Sequence, residues 1–144
     1  METPRSRAAA LAQALIAARL RALRTHLLAL HKVLIDTERE RYELDHGRIE
    51  SPHAALQLVL RDPWFQWLHP LLAVIVQIDG RLADKVPVTA AEADVFIEQA
   101  RGLIQRESGD PVFAIEYRRS LQDTPEVVVA HARVVKVLTN GLSV

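Results

Sequence analysis

Five of the seven prolines in this 144-residue chain directly follow a residue whose side-chain oxygen caps helices: Thr3-Pro4, Ser51-Pro52, Asp62-Pro63, Asp110-Pro111 and Thr124-Pro125. A capping oxygen accepts one of the free backbone N–H groups of a first turn. Proline is tolerated at the first helical position because its missing N–H has no partner there anyway. Thr89-Ala-Ala-Glu92 adds a capping box, making six helix starts in one short chain. Few sheet proteins accommodate such punctuation. The fold class is all-α, a helical bundle with one long N-terminal helix and about five shorter ones, in a single domain over residues 1–144.

The first helix is predicted from Pro4 to His46, ending at Gly47. Its apolar positions Ile16, Leu20, Leu23, Leu27, Leu30 and Leu34 alternate in steps of four and three, a heptad-like seam. Such a helix makes a rod about 65 Å long at 1.5 Å per residue. A compact domain of this length is roughly 40 Å across. The rod therefore either breaks near residues 24–26, or projects and packs on another chain. The second alternative makes Leu20, Leu23 and Leu27 candidate interface residues.

The remaining helices are expected over Pro52–Arg61, Pro63–Leu82, Ala90–Arg106, Pro111–Leu121 and Pro125–Thr139, with loops at 85–89 and Ser108-Gly109. Val95, Phe96, Ala100, Leu103 and Ile104 form the expected inner side of the fourth. Phe113, Tyr117 and Leu121 stand at spacing four on the fifth. The sixth contains valine runs that favour strands, but its Pro-Glu start and the face Val128, His131, Val135 and Leu138 favour a helix ending at Asn140-Gly141. The stretch Pro63–Ile78 is the most apolar, yet at about 24 Å it is too short to span a hydrocarbon core. Trp64, Phe65 and Trp67 place aromatics on both its faces, so both are expected to be covered. Trp64 and Trp67 are further candidates for contact with a second subunit.

There is no cysteine, which removes disulfides, thiolate catalysis and cysteine-ligated metals and suits a cytoplasmic location. Net charge is zero, so no overall field favours nucleic acid or an anionic membrane. Its distribution is uneven: residues 1–32 carry six arginines and lysines against Glu2 alone, and the rest of the chain balances them with an acidic excess. In composition this start resembles a transit peptide. The unbroken apolar register instead favours a helix whose positive face meets an acidic partner surface. A basic-arm adaptor for nucleic acid or membrane rests on residues 5–32 alone, with no recognisable helix-turn-helix. Glycine-rich phosphate loops, Gly-x-Ser-x-Gly, His-Glu-x-x-His and zinc-finger spacings are all absent from the sequence.

Past Leu34 the seam turns polar: Thr37, Glu38, Arg41, Leu44 and Asp45, flanked by His31 and Tyr42. Spacings of three and four let Glu38, Arg41 and Asp45 pair on one surface. That pattern is either a buried ion-pair network or the lining of a polar pocket, and Glu38, Arg41, Tyr42, Asp45, His69 and His131 are the candidate ligand-binding residues. Glu43-Leu-Asp-His46 has the Glu-x-x-His spacing of di-metal bundles, but the later helices carry no partner for it, so no metal or cofactor is assigned. No catalytic residues are assigned either.

Leu30-His-Lys-Val-Leu-Ile-Asp-Thr-Glu38-Arg-Glu-Arg-Tyr42-Glu, followed by Asp62-Pro-Trp-Phe-Gln-Trp-Leu, is similar to a group of short bacterial all-helical proteins. The likeness runs from about Leu27 onward. It implies a bacterial cytoplasmic protein and transfers no activity or site. The expectation is a non-enzymatic interaction or structural protein that forms a homodimer through helix 1. The alternative is a small-molecule- or metal-binding bundle with a polar pocket at the C-terminal end of that helix.

Overall fold

A computed structural model describes residues 3–106 and 109–140. Of these residues 87% are helical, the 3-10 segment included, with six α-helices and no strand among them. They are α1 (Pro4–His46), α2 (Pro52–Arg61), α3 (His69–Ala83), α4 (Ala90–Ile104), α5 (Pro111–Asp123) and α6 (Pro125–Asn140), with a 3-10 segment over Pro63–Leu68. Five of the six predicted caps form. Thr3, Ser51, Asp62 and Asp110 each accept a backbone N–H of the following turn, and the Thr89–Glu92 box closes in both directions. Gly47 ends α1 at φ 87°, where a Cβ would be strained, and its N–H donates to the Glu43 carbonyl at 2.9 Å. The C-terminal signal at Gly141 and the loop residue Ser108 lie outside the described residues.

α1 is a single unbroken helix and forms the spine on which α3, α4 and α6 pack. It has no break at 24–26. Leu20, Leu23, Leu27, Leu30 and Leu34 are all completely buried, each contributing about 1.5–3 kcal/mol of apolar transfer. The cover sought for this seam in another chain comes from the chain itself. Leu20, Leu23 and Leu27 are therefore not available to a partner, and neither is Trp67, which packs against Phe113 with ring centroids 5.7 Å apart. Arg19 and Arg101 both donate to the Leu138 carbonyl, holding the end of α6 between α1 and α4. Arg24 pairs with Asp79 of α3 at 3.1 Å.

Four expectations change, one about a helix start and three about faces. The predicted helix Pro63–Leu82 divides into the 3-10 segment and α3, because Pro70 has no N–H and its ring conflicts with the carbonyl four residues back. His69 N–H donates instead to Gln66, the tighter 3-10 pattern. On α4 the buried residues are Ala93, Ile97, Ala100 and Ile104, while Val95 is exposed, two residues from Ala93 and Ile97 and so on the opposite side. On α6 the buried face is Val127, Ala130, Val134 and Leu138, one residue round from the predicted stripe. Val128 is exposed there, and His131 and Val135 sit at the margin. On α5, Ser120 joins Phe113 and Tyr117 inside, with Leu121 only partly buried.

Candidate functional site

The polar end of α1 is organised around Glu38. This residue continues the leucine seam one turn beyond Leu34 and is 1% exposed. A buried carboxylate is costly unless its lone pairs are met by charged donors. Here Arg41 Nη1 donates to both oxygens, at 2.8 and 3.1 Å, and Arg119 of α5 donates to Oε1. Arg119 in turn pairs with Glu116 at 3.2 Å and lies 3.7 Å from Asp123. The result is an ion-pair network that ties α5 to α1. Asp45 is not part of it: it is exposed, and Arg41 turns instead toward the Trp64 ring, 5.4 Å from its centroid. The expected Glu38–Arg41–Asp45 cluster is thus replaced by Glu38–Arg41–Arg119. Glu116-x-x-Arg119 and Arg119 to Asp123 have the spacing of intrahelical pairs, which marks Arg119 as a paired cation in the sequence but carries no sign of Glu38.

Tyr42 belongs to an aromatic corner. Its ring stacks on His46 at 4.2 Å and meets Trp64 edge-on at 5.7 Å and Phe65 at 5.8 Å. His46 Nδ1 lies 3.2 Å from the Tyr42 carbonyl, so the ring that stacks also caps the end of α1. A cleft of about 570 Å³ opens beside this corner, toward Arg48, Gln57 and Arg61.

The two candidate histidines lie elsewhere. His69 neighbours His31, whose pKa is lowered by burial and further by His69. The His131 ring sits 2.7 Å from the Tyr117 hydroxyl; burial lowers the pKa of His131 and raises that of Tyr117. A neutral imidazole accepting the phenol proton at Nδ1 satisfies both groups. The six residues proposed from sequence as one site therefore occupy separate places: Glu38 with Arg41, Tyr42 beside them, Asp45 at the surface, and His69 and His131 in two histidine pockets. No group of three or more His, Asp or Glu among the described residues could hold a metal ion.

Two surface features lie next to the Glu38 network. The first is a cleft of about 660 Å³ between α1 residues 33–44 and the α5–α6 turn. Asp36, Glu40, Asp123 and Glu126 bring four carboxylates to it, while its two arginines, Arg41 and Arg119, are already committed to Glu38. Val33 and Leu44 supply apolar surface, and Leu44 is 86% exposed. The second is the start of α1. Residues 4–15 are all exposed, Leu11 and Leu15 among them, and Arg5, Arg7 and Arg21 have no pairing partner among the described residues. Sequence reasoning took the seam for an interface because periodicity marks an apolar stripe without saying what covers it; here the chain itself covers it.

Comparison with protein-family models, curated proteins and solved structures found no match to this chain. No described helix is long and apolar enough to cross a membrane.

Proposed function

We propose that this protein is a self-associating interaction protein, a homodimer formed through α1, rather than an enzyme. The observation that carries this reading is the mismatch between α1 and its own core. The twelve residues 4–15 carry the helix about 18 Å beyond the last buried turn, with Leu11 and Leu15 uncovered. The extension continues a helix already nucleated in the body, so its backbone needs no partner; what it lacks is cover for Leu11 and Leu15. A second copy supplies the missing cover. The absence of cysteine and the bacterial resemblance support a bacterial cytoplasmic setting for this dimer.

Sedimentation velocity at micromolar concentration tests the reading. The parent chain is expected to sediment as a dimer. Leu11→Asp with Leu15→Asp is expected to give a monomer with an unchanged helical circular-dichroism signature from the body. A parent chain that stays monomeric at tens of micromolar rules the proposal out.

A further inference from the structure

The exposed back of α1 carries a straight ridge: Leu11, Ala18, Ala22, Thr25, Ala29, Val33, Asp36 and Glu40 follow one another at spacings of three, four and seven. All of them are exposed or partly exposed. The middle of the ridge is made of small side chains, which lets two helix axes approach to the short end of the usual 8–10 Å range. Its two ends differ in charge. The N-terminal end has Arg5 and Arg7 nearby, and no acidic residue occurs from Pro4 to Ile35. The C-terminal end runs into the acidic cleft described above, where Asp36, Glu40, Asp123 and Glu126 converge.

We propose that this cleft receives the N-terminal arm of a second copy, residues 4–16, with the two α1 helices antiparallel. This rests on the self-association proposed above and assigns its contact. A two-fold axis passing near Thr25, the midpoint of α1, sets Leu11 of one copy beside residue 39 of the other. The partner's arm then lies along residues 33–44. Its leucines meet Val33 and Leu44, and its arginines meet Glu40 and Glu126, since Asp36 is already paired with Lys32 and Asp123 with Arg119. The two-fold repeats the contact, so each copy fills the other's cleft. A parallel pairing would instead set Arg7 against Arg7 and Glu40 against Glu40. The basic-to-acidic asymmetry of the sequence is thus self-complementary in one direction only.

The chain contains no cysteine, so introduced thiols report contacts without background. Leu11 and Glu40 are 29 residues apart on one straight helix, about 43 Å, and a disulfide needs Cα atoms within about 7 Å. A Leu11→Cys/Glu40→Cys chain can therefore bridge only between copies. Under mild oxidation it is expected to give a covalent dimer, whereas Leu11→Cys alone is expected to give at least tenfold less. Arg5→Glu/Arg7→Glu is expected to weaken the dimer at least tenfold, and adding Glu40→Lys/Glu126→Lys to restore it. If the parent is a dimer but Leu11→Cys alone cross-links, or the double variant does not, the cleft assignment fails while self-association stands. A monomeric parent removes both.

Discussion

Glu38 sits where a leucine would continue the seam, and the structure keeps it there by supplying two guanidinium groups from different helices. Removing the carboxylate leaves Arg41 and Arg119 facing each other, although both reach water and so are relieved of part of that cost. Glu38→Ala is accordingly expected to destabilise the fold by about 2 kcal/mol, below the roughly 3–5 kcal/mol of a fully buried broken pair. Urea denaturation checks the value through the shift in midpoint at constant slope. That Glu38 is paired was legible in the sequence, since Arg41 stands three residues on. Arg119, 81 positions away, was not, because pairing within a helix follows from spacing whereas pairing between helices follows from packing.

All the helices except α3 begin where the sequence places them, because capping is a local reaction between a side-chain oxygen and backbone within one turn. Thr89 is the clearest case. Its side chain accepts the Glu92 N–H at 3.1 Å, and Glu92 returns a bond to the Thr89 N–H at 3.1 Å while pairing with Arg81 of α3 at 2.6 Å. Thr89→Ala is expected to cost about 1 kcal/mol, seen as a lower thermal midpoint with unchanged helix content. The faces of α4 and α6 were less legible than their ends. In a helix with apolar residues most of the way round, such as α6 with Val127, Val128 and Val129, which side is inside depends on where the neighbours stand. Pro70 lies between these cases. Its missing N–H was plain from sequence, but that the preceding turn would tighten to 3-10 was a choice of packing.

At the scale of the molecule, acid sensitivity has identifiable sources. His31 and His131 are held neutral by burial, with pKa values below the ordinary 6.5. The unfolded chain therefore binds protons that the folded chain resists, so stability is level above about pH 6.5 and falls below it. Glu92 acts lower in the range. Its carboxyl, held down to about 2 first by the Arg81 hydrogen bond and then by Thr89, stabilises the fold above its ordinary value of 4.5, and this contribution is lost as pH falls toward 2. Melting temperatures measured between pH 8 and 3 are expected to show both declines. His31→Gln with His131→Gln is expected to flatten the upper one; an unchanged slope between pH 6.5 and 5 would assign it to other groups.

The chain by itself determined that it is helical, where five of its six helices start, and that its first helix is longer than its body, because capping, proline geometry and apolar period act over a few residues. Only the tertiary structure decided which neighbour covers each face. It sealed the leucine seam from within, turned Glu38 toward α5, separated the histidines, and left the arm and the back of α1 bare. Those outcomes depend on how six helices divide a limited apolar surface, and no single helix carries that division in its own sequence.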